Sequence, residues 1–264
     1  MQTHTNETQF IEDIRAALGI RDNNTESRKK EIFTDPAQPI EEQKALLDTI
    51  GARQDKDQMA LFDRLAKEAA PLNLQVIPMK NEAEVAKAIA KLVADTTPEW
   101  GDKKSVVQWD HPMIKKLSLE SALKDQGVPV YTAAFDGSET TEDQKKLKRD
   151  QIREQVIQSY IGVTSADFCL ADTATLVMRS RPAEARSVSL LPSIHVAVIK
   201  KEQILYSLKE LYALLKYDPE TRGEGLPHHM VMISGPSKTA DIELVMVHGA
   251  HGPRALYLYV ITGE

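Results

Sequence analysis

The sequence predicts an α/β layered fold built on a mixed, mostly parallel sheet. Short apolar runs of strand length alternate with longer segments whose apolar residues recur at helical spacing. Such alternation is typical of a parallel sheet covered by helices. The paired apolar runs 167–171 and 174–179 indicate that the sheet is mixed. A hydrophobic content of 42% in 264 residues allows a sizeable core.

The first 40 residues differ in character from the rest of the chain. Apolar residues recur at helical spacing between Phe10 and Leu18, which predicts one helix. The segment 21–39 is charged, polar and interrupted by prolines, which is typical of a linker. We therefore expect a helical arm and linker over residues 1–40 and a single α/β domain over residues 41–264.

From Glu41 onward the predicted elements follow in chain order. Residues 41–70 are expected to form one broken helix or two helices, and Asn81 can cap the next helix with Glu84 three residues on. The later predicted helices are 117–124, 142–160 and 204–215. The predicted strands are 74–77, 105–109, 128–133, 167–171, 174–179, 194–199, 230–234 and 255–261.

The composition excludes several classes of protein. A formal net charge of -6 and the lack of a basic stripe argue against nucleic-acid binding. The only cysteine is Cys169, so the chain can form no internal disulfide framework and cannot alone hold an iron–sulfur cluster, which needs about four thiolates. Cys169 lies in an apolar run and is expected to be buried. The N-terminus lacks the apolar core of a secretory signal, and no stretch reaches the length of a membrane span, which predicts a cytoplasmic location.

The stretch ISGPSKTADIE, residues 233–243, carries the most chemistry. Gly235 and Pro236 predict a sharp exit from a strand. Ser237, Lys238 and Thr239 then offer hydroxyls, an ammonium group and successive backbone N–H groups, which could form an anion cradle. Asp241 and Glu243 would line the same mouth. Ligands of such sheets bind outside the carboxyl ends of strands, where this stretch is expected to lie. A turn with ordinary helix-capping residues explains the pattern equally well.

A second stretch, HGAHGP, contains two histidines three residues apart. His248 and His251 could hold a metal with Asp241 or Glu243 if they shared a helix face. The adjacent glycines argue against a helix, so two turn histidines are the favoured interpretation and no metal site is predicted.

Two further polar features are candidates for the same cleft. Asp172, Thr173 and Thr175 form a polar group between two apolar strands, as a turn or as part of a site. Arg186 could pair with a substrate carboxylate or with a surface acid.

Four stretches taken together resemble one known family. They are GVTSADFCLADTATLVM, RSVSLLPSIHVAVI, ISGPSKTADIE and HGAHGPRALYLYVI, and they run from Gly162 to Ile261. They are similar to the LUD domain family, in particular to its lactate utilization C subunits, and the opening FIEDIRAALG looks like the first helix of those subunits. The resemblance implies a Rossmann-like fold similar to the CoA-transferase and ribose-5-phosphate isomerase group.

The resemblance also implies a function. The chain would be an accessory subunit, without a cofactor of its own, of a system that oxidises L-lactate to pyruvate. Partner subunits would carry the iron–sulfur clusters, and a small anionic ligand would bind in the cleft. The candidate catalytic residues are Asp172, Glu243 and His251. The candidate ligand-binding residues are Thr173, Thr175, Arg186, Gly235, Ser237, Lys238, Thr239, Asp241 and Gly252.

Two positions depart from the pattern of that family. The family commonly has Glu-Thr-Gly-Thr where this chain has residues 172–175, and often an arginine at the position of Lys238. Ala174 cannot follow glycine into positive φ without cost, and lysine lacks the planar fork of arginine. The alternatives are therefore a stand-alone enzyme of the CoA-transferase or phosphosugar-isomerase kind, or a non-catalytic scaffold subunit.

Overall fold

The computed structural model describes residues 6–17, 40–98, 101, 103–135, 137–222, 229–240, 246–248 and 252–263. The chain divides into two units, residues 1–40 and 41–264. In the first unit the described helix is α1 (Asn6–Ala17). The helix predicted between Phe10 and Leu18 is therefore present as far as Ala17, and Leu18 lies outside the described residues.

The second unit alternates helices and strands, as the periodicity predicts. Its helices are α2 (Glu41–Gly51), α3 (Asp55–Ala69), α4 (Glu82–Asp95), α5 (Pro112–Lys116), α6 (Leu119–Ala122), α7 (Glu142–Gln158), α8 (Ser187–Leu190), α9 (Leu208–Tyr217) and α10 (Pro219–Arg222). Its strands are β1 (Leu74–Met79), β2 (Val106–Gln108), β3 (Val130–Thr132), β4 (Ile161–Ser165), β5 (Phe168–Leu170), β6 (Thr175–Arg179), β7 (Ile194–Lys200), β8 (Ile204–Leu205), β9 (Met230–Ile233), β10 (Lys238–Ala240), β11 (Met246–His248) and β12 (Ala255–Ile261).

The strands form a large parallel sheet, a smaller mixed sheet and a two-stranded ribbon. The six-stranded sheet has the order β1-β12-β7-β4-β2-β3, and all its neighbours are parallel. The four-stranded sheet has the order β8-β5-β6-β9, with β6 antiparallel to both of its neighbours. Strands β10 and β11 pair antiparallel. The predicted mixed, mostly parallel α/β fold is confirmed.

Both faces of the six-stranded sheet are buried, which explains its nearly continuous apolar strands. In β7, Val196 and Val198 belong to one core cluster together with α4, α5 and α6. Ala197 and Ile199 belong to a second cluster on the opposite face, shared with α3 and the four-stranded sheet. Side chains that alternate along one strand thus serve two separate layers.

The predicted helix 204–215 is wrong in its first turn. Ile204 and Leu205 form β8 instead and pair with β5, and α9 begins only at Leu208. Both residues are fully or almost fully buried at the edge of the smaller sheet. Their apolar spacing fitted a helix, but the sheet edge offered backbone partners that the pattern alone does not reveal.

Three other boundaries also differ from the predictions. The predicted helix 117–124 is shorter in the structure: α6 begins only after Ser118, whose φ is 49°, and ends at Ala122, while α5 lies before the predicted range. The helix predicted to reach residue 160 ends at Gln158, because Ile161 starts β4. Strand β4 itself was not predicted, since Gly162, Thr164 and Ser165 dilute its apolar character, yet it lies between β7 and β2 in the large sheet.

Candidate functional site

A groove of about 360 Å³ lies between β9 and the amino ends of β7 and β12. Its described lining comes from α8, β7, β9, the segment after β9, and the segment that leads into β12. The lining residues are Ser189, Leu190, His195, Val231, Met232, Ile233, Ser234, Gly235, Pro236, Ser237, Lys238, Gly252, Pro253 and Leu256. The sequence predicted the cleft at the carboxyl ends of strands. Strand β9 does contribute its carboxyl end, whereas β7 and β12 contribute their amino ends.

The two motifs singled out in the sequence meet in this groove. Gly235 has φ 88°, and a Cβ there would lie 2.9 Å from the carbonyl oxygen of Leu72, so this turn requires glycine. The Ser237 N–H donates to the Pro253 carbonyl oxygen at 2.7 Å. A Cβ on Gly252 would lie 3.3 Å from the Ser237 Cβ, so the two segments are in close contact.

The backbone predicted to form an anion cradle is partly engaged within the protein. The Ser237 N–H is already bonded, and Lys238 and Thr239 belong to β10, paired with His248 and Val247 of β11. Strand β10 follows the turn directly, so the described residues form no helix there and the helix-capping interpretation is wrong. Contact with an anion would therefore come mainly from side chains at this point.

Lys238 gives the groove its charge. Its side chain is exposed, and among the described lining residues it is the one formally charged group. Ser237 lies beside it and is partly buried. A single ammonium group, with no carboxylate among the described lining residues, favours an anionic ligand.

His195 lies at the floor of the groove and was given no role by the sequence reasoning. It is 1% exposed, and its Nε2 lies 2.8 Å from the Thr164 hydroxyl. Nδ1 is buried and has no partner among the described residues. Burial lowers the pKa of His195 to about 3, so the ring is neutral at physiological pH. The feature of the sequence that could have identified His195 is its position inside an otherwise apolar strand.

The polar group at 172–175 adjoins the groove without lining it. The Thr175 hydroxyl lies 2.8 Å from that of Thr173 and 2.7 Å from that of Ser234, a lining residue. Ala174 has φ 46° and thus adopts the left-handed conformation for which glycine is favoured. The Asp172 N–H donates to the Tyr206 carbonyl oxygen, while its Oδ1 is buried without a partner among the described residues.

The remaining predicted residues are separate from the described groove or outside the described chain. Arg186 is exposed and precedes α8, and its carbonyl oxygen accepts from the Ser189 hydroxyl at 2.9 Å. Asp241, Glu243 and His251 lie outside the described residues, and the Thr239 side chain is not described. The groove therefore unites Gly235, Ser237, Lys238 and Gly252 of the predicted set.

A second polar cavity, of about 410 Å³, lies at the carboxyl ends of β2 and β4. Asp167 there binds Arg179 at 2.9 Å and Arg181 at 2.7 Å, and Arg181 also pairs with Glu184 at 3.3 Å. His111 lines this cavity, and burial lowers its pKa. Because these charged side chains pair with one another, the cavity attracts an ion less strongly than the groove does. Sequence reasoning missed the cluster because its members are up to 73 residues apart.

The described residues offer neither a cluster of metal ligands nor a membrane-spanning helix. No group of three or more histidine, cysteine or acidic residues in this part of the chain could hold a metal ion. Within the same residues, none of the helices has the length and apolar character required to cross a membrane.

The comparisons with known proteins decide the family. The model of the LUD domain matches residues 62–261, most of the chain. The chain belongs to the LUD domain family. The predicted resemblance is confirmed.

Several relatives with assigned names are similar to this LUD domain protein. Lactate utilization protein C of Halalkalibacterium halodurans is 34% identical over 167 residues, which cover 63% of this chain and 66% of that protein. The chain thus aligns with slightly less than two thirds of that relative. Lactate utilization protein C 1 of Bacillus mycoides is 28% identical over 208 residues, covering 77% of this chain and 84% of that protein.

A crystal structure of a DUF162 family protein from Deinococcus radiodurans is also similar. It has a TM-score of 0.46 and 18% sequence identity, and the match covers 79% of this chain and 98% of that one.

Proposed function

We propose that this LUD domain protein takes part in lactate utilization by binding a small carboxylate in the groove beside Lys238. The role follows the names of its relatives, lactate utilization protein C. The observation that carries the ligand class is the single ammonium group of Lys238 among the described lining residues. A carboxylate is the natural partner of such a group in a partly enclosed space.

The size of the groove suits a small ligand. Its volume of about 360 Å³ lies near the lower end of the roughly 300–1,000 Å³ typical of small-molecule sites. Lys238 and Ser237 supply polar groups to the lining, whereas Leu190, Met232 and Ile233 supply apolar surface. A short acid could place its carboxylate at Lys238 and its carbon chain against these walls.

We further propose that the chain is an accessory subunit rather than the redox centre. With Cys169 as its only cysteine, it lacks the thiolates that an iron–sulfur cluster needs. Iron–sulfur partner subunits would carry electrons from L-lactate as it becomes pyruvate. In that arrangement this chain would hold the acid or product while the partner performs the electron transfer.

The ligand proposal is tested by calorimetry on the full chain. Pyruvate, L-lactate and propionate are titrated into the wild type, Lys238→Met and Lys124→Met. Lys124 is exposed and is not among the lining residues, so it is a matched control. We expect Lys238→Met to weaken binding at least about tenfold, as for loss of a charged hydrogen bond, and Lys124→Met to change little. Equal binding by all three proteins would contradict the proposal.

The accessory role is tested in the source organism. The tagged chain is purified from cells grown on lactate, and the eluate is assayed for iron and for lactate-dependent dye reduction. Iron–sulfur partners with that activity would support the proposal, whereas unchanged lactate oxidation in a strain without the gene would contradict it. Turnover of an acyl-CoA or a sugar phosphate by the isolated chain would instead indicate a stand-alone enzyme, with Asp172→Asn as the first variant to test.

A further inference from the structure

The hydrogen bond between His195 and Thr164 determines which ring nitrogen carries the proton. Thr164 is fully buried, so its hydroxyl hydrogen needs an acceptor inside the protein. Among the described residues, the side-chain partner of that hydroxyl is His195 Nε2, at 2.8 Å. If Thr164 donates, Nε2 must be the unprotonated nitrogen of a neutral ring. The hydrogen of the ring then lies on Nδ1.

This assignment leaves a buried donor at the floor of the groove. Nδ1 has no acceptor among the described residues, and a buried unsatisfied donor costs about 1–3 kcal/mol. The residues paired with His195 in the sheet are Gly162 of β4 and Leu256 of β12, and neither has a side chain that can accept a hydrogen bond. Of the described lining residues none is a carboxylate. An acceptor oxygen supplied by a ligand would remove the cost.

We propose that His195 is the specificity-determining residue of the groove, donating from Nδ1 to an oxygen on C2 of a 2-oxo or 2-hydroxy monocarboxylate whose carboxylate binds Lys238. The inference rests on the proposed function, because it assumes that the groove takes a small carboxylate. It adds the feature by which such an acid is distinguished from a plain fatty acid. Both residues line the same groove, with His195 at its buried floor and Lys238 exposed.

Three acids of equal chain length distinguish the contact of His195 Nδ1 with C2 from the contact of Lys238 with the carboxylate. Pyruvate has a keto oxygen on C2 and L-lactate a hydroxyl, both of which can accept from Nδ1, whereas propionate has neither. We expect propionate to bind the wild-type full chain roughly ten- to hundredfold more weakly than pyruvate, the range for leaving a buried donor unpaired. L-Lactate should bind closer to pyruvate than to propionate.

The outcomes distinguish this inference from the proposed function. If propionate binds as tightly as pyruvate and Lys238→Met weakens both, the carboxylate site stands and the role of His195 is overturned. If none of the three acids binds, the proposed function fails and the inference fails with it.

The protonation of the His195 ring can be measured directly in the wild-type protein, so this test does not require a variant to fold. Nitrogen-15 spectra of histidine-labelled full chain should show His195 protonated at Nδ1 and unprotonated at Nε2. Pyruvate should shift the Nδ1 signal, and propionate should shift it much less. A proton on Nε2 in the free protein would overturn the assignment.

Thr164→Val provides the matched variant, since valine has nearly the shape of threonine and lacks its hydroxyl. The proton on His195 is then no longer directed to Nδ1, and we expect the preference for pyruvate over propionate to fall several-fold while His195 remains in place. An unchanged preference in a variant whose circular dichroism matches the wild type would contradict the role assigned to the Thr164–His195 pair.

Discussion

A methyl group at Gly162 would collide with the backbone that carries one wall of the groove. In Gly162→Ala the new Cβ would lie 1.9 Å from the Val188 carbonyl oxygen and 2.9 Å from Pro192 Cγ. Ordinary van der Waals contact begins at 3.4 Å, so α8 and β4 must separate by about 1.5 Å at this point. Gly162 is therefore required for the close approach of α8 to the sheet.

The cost of that separation can be estimated from the surroundings. Overpacking of a core costs about 1–3 kcal/mol where side chains can adjust. Here the opposing atom is backbone, and β4 is held between β7 and β2, so neither side yields by a rotamer change. We expect a loss of about 3 kcal/mol or more in the free energy of unfolding. The lower entropy of the unfolded alanine variant offsets only about 0.4–1 kcal/mol.

Urea unfolding followed by circular dichroism measures this loss. Gly51→Ala is the control, because a Cβ at Gly51 has nothing within 4 Å and the residue ends a helix. We expect that control to be unchanged or slightly stabilised. Because α8 carries Ser189 and Leu190 of the groove, Gly162→Ala should also weaken pyruvate binding. A Gly162→Ala protein within about 1 kcal/mol of the control would refute the reasoning.

Three further predictions concern buried polar groups. Asp167→Asn removes the carboxylate shared by two partly buried guanidinium groups, of which Arg181 keeps its pair with Glu184, and should cost about 3 kcal/mol in urea unfolding. Glu41→Gln, at an exposed pair, should change stability little, and similar losses in the two variants would contradict this view. Burial lowers the pKa of His195 from 6.5 to about 3, so the unfolded chain binds a proton that the folded chain does not. The contribution of His195 to the free energy of unfolding is complete above pH 6.5 and falls by at most about 5 kcal/mol on acidification toward pH 3. A folded His195→Gln protein whose stability depends on pH with the same slope would disprove the assignment. Cys169 is fully buried, and burial raises the pKa of its thiol, so a thiol reagent should label it only after urea unfolding; rapid labelling of the native protein would be inconsistent with the structure.

Periodicity predicted most of the strands because their burial is simple. Strand β12 has its predicted bounds, and β7 differs by one residue, since both are mostly apolar and lie between two covered faces. Strand β4 was not predicted because a buried strand that contacts α8 and a histidine needs glycine and threonine where the pattern expects apolar residues. The β8 segment was misassigned because its partner, β5, is about 35 residues away along the chain.

The candidate site was predictable only in part, and the reason is again distance along the chain. The motifs around Ser237 and Gly252 were recognised from their own residues, and the structure brings them into contact. His195 lies inside the predicted strand 194–199, and the sequence assigned it no role. Its importance depends on Thr164, on the groove above it and on the missing partner of Nδ1, which no local pattern reveals.

By itself, the sequence determined the family, the alternation of strands and helices, the burial of Cys169 and the sharp turn at Gly235. These properties depend on local chemistry: side-chain period, the conformational freedom of glycine, and motif order. Only the tertiary structure decided that the groove combines the carboxyl end of β9 with the amino ends of β7 and β12. It also decided that Asp167 joins two arginines and that His195 Nδ1 has no partner in the described part of the chain. The groove and the surroundings of His195 arise because strands distant in sequence become neighbours in one sheet or in facing layers. Asp167 meets Arg179 across the hairpin of β5 and β6, where antiparallel pairing brings together residues 12 positions apart.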